Sequence, residues 1–289
     1  MTSMVRIPSG SFRMGSAEFY PEEGPVVERW VAAFEIDLVP VTNKEFATFV
    51  AETGHVTTAE RPLDPAQFPG VAELEAGSLT FVPTGGPVNL RDWRQWWRWT
   101  PGATWRTPFG PDSSIEVKET HPVVQVAYED ALAYALWAGK RLPTEAEWEF
   151  AARGGLEGAR FAWGDEPQKP DDLLVNSWQG RFPYLNTGAN GWIGTSPVGS
   201  FPPNGYGLLD MTGNVWEWTS EPWMDHHEEA QACSCSPAAT HPGQQRVLKG
   251  GSHLCAPEYC LRYRPAARSA QTEDSSTTHI GFRCARDIG

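Results

Sequence analysis

The chain has 289 residues, and its 36 acidic and 23 basic side chains give a formal net charge of −13. This acidity argues against a nucleic-acid partner, which would need a basic face. No apolar run approaches the ~18 residues of a membrane span, and the first residues lack the apolar stretch of a signal peptide. Five cysteines, an odd number in a long chain, favour a reducing compartment over a disulfide framework. We therefore expect a cytoplasmic protein without nucleic-acid or membrane partners.

The composition indicates one loop-rich domain. Glycine and proline, with 28 and 25 residues, together exceed the ~12% of an average chain. The 14 tryptophans argue against disorder, because disordered chains are poor in aromatic residues. The length suits one large domain better than two, so we expect a single domain over residues 1–289.

The first part of the chain predicts strands and one helix. Residues 5–16 alternate apolar and polar side chains and then reach glycine, which is typical of a strand and a turn. Residues 34–41 predict another strand. Thr42 and Glu45 have the spacing of a capping box and Gly54 suits a C-terminal cap, so a helix is expected over residues 42–54.

The middle of the chain contains five tryptophans between residues 93 and 105, interleaved with arginines. Such a run can stack on bases, but in an acidic chain we expect the rings to pack in the core beneath arginine stems. Residues 123–126 predict a short buried strand. Residues 128–138 predict a helix that ends at Gly139.

Three glutamates lie in the next predicted helix. Pro143 precedes Thr144 and Glu147, which form a second capping box. Glu145, Glu147 and Glu149 are candidates for catalytic acids, but we interpret them as a cap and as paired or solvated charges.

A long region after residue 176 has few helix or strand signals. Glycine, asparagine and proline dominate residues 176–223, which predicts ordered loops. Loops of this length in a compact domain need an organiser. Aromatic packing is one candidate, and a hard cation held by oxygens is another, because Ca²⁺ prefers six to eight oxygen ligands.

Residues 221–245 predict a polar loop that contains several residue types found in zinc sites. These are Asp225, His226, His227, Glu228, Cys233 and Cys235. Adjacent histidines in a loop rarely converge on one ion, so we favour a solvated loop over a metal site.

Cys255 and Cys260 are separated by four residues, and Arg262, Arg264 and Arg268 follow. Nearby positive charge favours thiolate over thiol, and two thiolates are a soft ligand set for Cu(I) or zinc. From the spacing alone, two buried cysteines packing as apolar side chains are an equal alternative. No GxSxG, Walker or HExxH motif and no Rossmann fingerprint occurs, so the parts for hydride or phosphoryl transfer are missing.

Several segments together suggest a known family. They are ATWRTPFGPDSS from residue 103, GKRLPTEAEWEFAARGG from residue 139, KGGSHLCAPEYCLRYRPAARS from residue 249, and the later DSS and GFRC. From about Ile7 to Cys284 the chain resembles the formylglycine-generating enzymes, the sulfatase-modifying factor family, in their aerobic prokaryotic form. The resemblance implies an α+β domain with little regular secondary structure, related to C-type lectins and stabilised by calcium.

The activity that the resemblance implies is a copper-dependent oxidation. Cys255 and Cys260 would hold Cu(I) as two thiolates in near-linear geometry, with Ser252 as a catalytic partner. The substrate would be an unfolded sulfatase polypeptide, whose Cys-x-Pro-x-Arg cysteine is converted to formylglycine with O2. Trp216 and His279 would contact this peptide, although relatives commonly have asparagine at the position of His279. A monomer is expected.

The resemblance also implies two structural calcium ions. Their ligands would be Asn176, Ser177, Asn190 and Trp192 for the first ion, and Asp210, Gly213, Val215 and Glu217 for the second. Ser177, Trp192, Gly213 and Val215 would bind through backbone carbonyls. Asn190 replaces an aspartate of some relatives, so the first site has one charge fewer.

The family pattern also bears on Cys284, which secretory relatives pair with a helix cysteine. Here that helix has Ala135 and no cysteine, and Pro265 replaces a further family cysteine, so we expect Cys284 to be a free thiol. Three other functions stay open. The chain is alternatively a non-catalytic C-type-lectin-like binding module, a metal-free dithiol redox enzyme, or an iron-dependent sulfoxide synthase. The last lacks its HxxxHxE motif here.

Overall fold

The computed structural model describes residues 2–63, 75–227 and 243–288. Three α-helices lie within these residues: α1 (Asn43–Thr53), α2 (Tyr128–Trp137) and α3 (Glu145–Arg153). The strands are short: β1 (Met4–Ile7), β2 (Gly10–Met14), β3 (Val27–Val31), β4 (Phe34–Asp37), β5 (Gly77–Phe81), β6 (Trp97–Pro101), β7 (Gly180–Arg181), β8 (Leu185–Asn186), β9 (Trp216–Pro222), β10 (Gln245–Lys249), β11 (Arg268–Thr272), β12 (Ile280–Gly281) and β13 (Ala285–Asp287). Within the described ranges, none of the helices combines the length and apolar character that a bilayer crossing requires.

Two sheets and three ribbons form the framework. The larger sheet has the order β11-β10-β9-β12, in which only β12 and β9 are parallel. The smaller sheet has the order β1-β4-β13, and β2–β3, β5–β6 and β7–β8 are two-stranded ribbons. The prediction of a loop-rich α+β fold is confirmed, because long connections without regular structure separate these short elements.

The predicted helices are confirmed because their end signals are local. Thr42 and Glu45 form the reciprocal capping box of α1, and Gly54 ends the helix in the left-handed conformation with φ 69°. Thr144 and Glu147 cap α3 in the same way. Each cap satisfies backbone N–H groups that a helix leaves unpaired at its first turn.

Two strand predictions need correction. Residues 5–16 form two strands rather than one, because Pro8 and Ser9 separate β1 from β2. Residues 123–126 are buried but do not form a strand. Gln125 has φ 61°, outside the extended region, and its N–H donates to the carbonyl oxygen of Thr277 rather than to a strand partner.

The tryptophan run is only partly in the core. Trp96 and Trp105 are each 1% exposed, whereas Trp93 and Trp99 are 50% and 45% exposed. Trp99 lies on β6, which pairs only with β5 among the strands that the structure describes, so β6 is an edge strand and the Trp99 ring is exposed. The prediction that the rings pack inside is therefore wrong for these two. The prediction that arginines cover the rings is confirmed at Arg106, whose guanidinium lies 4.0 Å from the Trp105 ring centre.

Strand β10 leads directly into the segment that contains the two cysteines. Four of its five residues are buried, and Gly250 and Gly251 follow with φ of 94° and 70°. A Cβ atom on Gly251 would lie 2.6 Å from the carbonyl oxygen of Arg262. This close approach requires glycine, and it brings the residues before and after the two cysteines together.

Candidate active site at the cysteine pair

The sulfur atoms of Cys255 and Cys260 lie 3.2 Å apart. Turns within the segment cause this approach: the N–H of Cys255 donates to the carbonyl oxygen of Ser252 at 2.9 Å, and that of Cys260 donates to Ala256 at 2.6 Å. Cys255 is 2% exposed, and Cys260 is partly exposed. The two thiols therefore form a unit with one buried and one accessible sulfur.

Both cysteines open into a cavity of about 420 Å³ with largely aromatic walls. The predicted site residues Ser252, Trp216 and His279 all line it. Its other walls are Leu79, Trp93, Trp96, Trp97, Phe182, Leu248, Leu254, Tyr259, Arg262, Ser269, Gln271 and Thr277. Residues far apart in the sequence thus meet around the two sulfurs.

The two thiols differ in acidity. Burial raises the pKa of Cys255, but hydrogen bonds from Cys260 and from the Ser252 amide, with the charge of Arg262, outweigh it and lower the pKa overall. The pKa of Cys260 is raised because its proton is held in the hydrogen bond to Cys255, and burial adds to this. In the metal-free pair one sulfur therefore hydrogen-bonds to the other. Binding of Cu(I) by both cysteines as thiolates stays a prediction.

Of the three arginines after the cysteines, only Arg262 lies at the cavity. Arg264 pairs with Glu23, and Arg268 lies 2.8 Å from Oε1 of Glu145. Both of these pairs are buried. The sequence does not indicate which of these arginines faces the cysteines, and in the structure it is Arg262.

Ser252 and His279 face the pair in different ways. The Ser252 N–H lies 3.4 Å from the Cys255 sulfur, and its hydroxyl accepts from the Leu254 N–H at 3.2 Å. The His279 ring packs edge-on against Trp97 with centroids 4.8 Å apart. Burial, with a contribution from His253, lowers the pKa of His279 to about 3, and its buried Nδ1 has no hydrogen-bond partner within the described ranges. His279 is thus a neutral imidazole with one unpaired nitrogen.

The cysteine pair fits a soft monovalent ion in donor type and placement. Two sulfurs of one segment face each other, and one remains accessible. Their separation is that of a hydrogen-bonded pair.

Some of the residues predicted for the first calcium site have oxygen lone pairs available for a cation. Asn176 is 1% exposed, and its amide nitrogen donates to Gly194, Ser196 and Asn214. The carbonyl oxygens of Ser177 and Trp192 each accept one hydrogen bond, which leaves each a second lone pair. Asn190 is exposed and has φ 50°.

The second predicted calcium site contains the buried carboxylate of Asp210, which accepts a hydrogen bond from the Gly199 N–H at 2.5 Å. Burial raises the pKa of Asp210 to about 6, while Glu217 already accepts from Trp148 at 2.7 Å and from Arg283 at 2.7 and 2.8 Å. Gly213, with φ 73°, provides the turn between them. The oxygens suit a hard cation at Asp210, but the Glu217 carboxylate has a cationic partner in Arg283.

His227 departs from the predicted solvated loop. It is 6% exposed, with Nδ1 3.2 Å from the carbonyl oxygen of Pro25 and Nε2 3.6 Å from Glu145. Glu228, Cys233 and Cys235 lie outside the described residues. Among the residues that the structure places, no three His, Cys, Asp or Glu side chains form a metal-binding group.

Sequence reasoning missed part of the cavity. Phe182 and Tyr259 stack with centroids 4.5 Å apart, and Trp96 packs edge-on against both. Tyr259 lies between the two cysteines in the sequence, so its place in the cavity wall could have been predicted. Tyr20, which contacts Arg262, carries no such signal because it lies far away in the sequence.

The fold and site together define a loop-rich α+β protein with a dithiol in an aromatic cavity. Residues 1–288 match the family model described as "Sulfatase-modifying factor enzyme 1-like domain". The chain is 61% identical over 296 residues to the formylglycine-generating enzyme of Mycobacterium tuberculosis, covering 99% of this chain and 98% of that protein. It is 48% identical to that of Thermomonospora curvata, covering 98% and 93%. Among solved structures, PvdO from Pseudomonas aeruginosa is similar with a TM-score of 0.66 and 27% identity, covering 99% and 95%. The chain belongs to the formylglycine-generating enzyme family.

Proposed function

We propose that this protein converts a cysteine of a sulfatase polypeptide to formylglycine, with Cu(I) at Cys255 and Cys260 and with O2 as oxidant. The observation that carries the proposal is the 3.2 Å dithiol that opens into a 420 Å³ cavity. The family membership supports the reaction, and the soft donor pair supports the metal.

The two cysteines would have distinct roles as ligands. Cys255 is the buried partner whose negative charge the Ser252 amide and Arg262 favour. Cys260 is the more accessible partner and gives up its proton when a cation replaces the shared hydrogen. When bound, Cu(I) supplies the activation of O2 that cysteine side chains alone lack.

The cavity walls would bind the substrate and exclude water. Ligand pockets typically have volumes of ~300–1,000 Å³. This cavity is therefore large enough for the substrate cysteine and the residues next to it in the peptide. Trp216 and the stacked pair Phe182 and Tyr259 provide apolar surface, and the unpaired Nδ1 of His279 provides one hydrogen-bonding group for a peptide. We propose an extended Cys-x-Pro-x-Arg segment as substrate. The positively charged arginine of this substrate segment is complementary to the net charge of −13 on the enzyme.

Calcium is a separate, structural proposal. Asp210 is a buried carboxylate with a raised pKa in a region of loops, and a Ca²⁺ ion there would stabilise its charged form. The ion would order residues 176–217 and would take no part in the chemistry.

The test is a peptide containing Cys-x-Pro-x-Arg, incubated with enzyme, copper and O2 and followed by mass spectrometry. We expect the mass decrease of thiol-to-aldehyde conversion, and its loss in Cys255→Ser and Cys260→Ser. Cys284→Ser is the matched control, because this buried thiol lies outside the cavity walls. Full activity in a strong Cu(I) chelator would instead favour the metal-free dithiol alternative. No conversion under any condition would favour a binding module.

A further inference from the structure

The charge of the proposed metal site needs a partner. Two thiolates and one Cu(I) ion carry a net charge of −1, and a charge at sulfurs that are largely withdrawn from water is unfavourable unless an opposite charge lies nearby. The structure must therefore supply a cation next to Cys255 and Cys260 for the site to form.

Arg262 is the only lysine or arginine among the described residues that line the cavity. Its positive charge lowers the pKa of both cysteines. Its Nε is buried and has no hydrogen-bond partner among the residues that the structure describes. Arg262 therefore brings a positive charge and an unused donor to the sulfur pair.

The N-terminal loop holds this guanidinium in place. The Tyr20 ring lies beneath it, with 4.2 Å between the guanidinium carbon and the ring centre. Nη2 of Arg262 donates to Oε1 of Glu22 at 2.5 Å, and the Tyr20 hydroxyl accepts from the N–H of Leu261 at 3.0 Å. Residues 20–22 thus fix the segment that follows Cys260.

The other groups around the pair do not supply this charge. Arg264 and Arg268 do not line the cavity, and their guanidinium groups contact Glu23 and Glu145 instead. Burial lowers the pKa of His279 to about 3, so its ring is neutral, and the phenol of Tyr259 in the same wall cannot carry a positive charge.

We propose that Arg262 is the counter-charge of the Cu(I) site, and that Tyr20 and Glu22 are positioning residues that hold it against the cysteines. The inference rests on the proposed function, because it assumes that the cysteine pair binds Cu(I). Arg262 does not bind the ion itself; it stabilises the anionic site around it.

The test measures Cu(I) affinity by competition with a chromogenic Cu(I) chelator, using anaerobic, reduced protein. The main variant is Glu22→Gln with Arg262→Gln, because removing both partners leaves no unpaired carboxylate beside the site and keeps the net charge unchanged. We expect Cu(I) affinity to fall ~10–100-fold, the usual effect of losing a group that supports metal ligands. Arg262→Lys, which keeps the charge, should retain most of the affinity.

Arg181→Gln is the matched control. Arg181 is an exposed arginine beside Tyr184 and Glu258 and does not line the cysteine cavity. Its loss should leave Cu(I) affinity unchanged. Parent-like affinity in the double variant, or an equal loss in Arg181→Gln, would overturn the role of Arg262. If the folded parent protein itself fails to bind Cu(I), the copper part of the proposed function fails instead.

Discussion

Nζ of Lys249 lies 2.9 Å from Oε2 of Glu149, and both side chains are fully buried. This ion pair joins β10 to α3. The other carboxylate oxygen of Glu149 accepts from Arg153 at 2.7 Å and from the Gly15 N–H at 2.8 Å. Glu149 is therefore satisfied on both oxygens, which confirms that this glutamate is a paired charge. The pair also fixes the strand that leads to the cysteines.

The pair predicts a large stability loss in Lys249→Met. Methionine cannot pair with Glu149, and breaking a buried pair by removing one partner costs about 3–5 kcal/mol. Urea unfolding measures the change. The control is Lys44→Met on the exposed face of α1, which should change stability by less than about 0.5 kcal/mol. Equal effects of the two substitutions would contradict the prediction.

Local signals explain why the helices and the cysteine segment were predictable. The capping boxes of α1 and α3 depend on residues three positions apart, such as Thr144 and Glu147. Cys255 and Cys260 are brought together by turns within a few residues. The family resemblance added Trp216 and His279, which periodicity alone does not connect with the cysteines.

The features of the fold and the site that the sequence did not predict depend on contacts between residues far apart in the chain. Nothing in the spacing around Arg262 indicates that Glu22, 240 positions away, takes its guanidinium. In the same way, the burial of His227 depends on Pro25, and the left-handed conformation of Gln125 is unusual for its residue type. Such features follow from tertiary packing, which overrides the local pattern.

The cysteines should differ in reactivity. Cys284 is fully buried, whereas Cys260 is partly exposed. The pKa of both thiols is raised, so access to the reagent distinguishes them. In metal-free, folded protein we expect iodoacetamide to label Cys260 at least about tenfold faster than Cys284. Peptide mass spectrometry measures the rates. After denaturation all five thiols should react, and a Cys284 disulfide in reduced cytosolic material would contradict the prediction.

Calcium removal should lower the melting temperature. A ligand present at 100 times its Kd stabilises by about 2.7 kcal/mol, which for a domain of this size corresponds to roughly 5–10 °C. A chelator should therefore lower the Tm of the parent by about this amount. Asp210→Ala should lose most of the response, whereas Asp172→Ala, at an exposed position, should keep it. An unchanged Tm in chelator would contradict the calcium proposal.

Glu221 predicts a pH-dependent loss of stability. Its enclosed carboxyl group accepts from the Glu145 N–H, and burial, with the charges of Glu145 and Glu147, raises its pKa from 4.5 to about 8. The folded state therefore keeps a proton that the unfolded chain releases. The stability contributed by this proton is fully present below pH 4.5 and is lost as the pH rises through about 8.

Glu221→Gln should remove this dependence, because glutamine stays neutral and its oxygen still accepts from Glu145. Since the residue is partly exposed, we expect a discounted effect of about 2–4 kcal/mol rather than the full value of the shift. The parent should therefore lose stability relative to the variant between pH 5 and pH 9, as measured by urea unfolding at each pH. A difference between the two proteins that stays constant over this range would show that Glu221 ionises normally in the folded state.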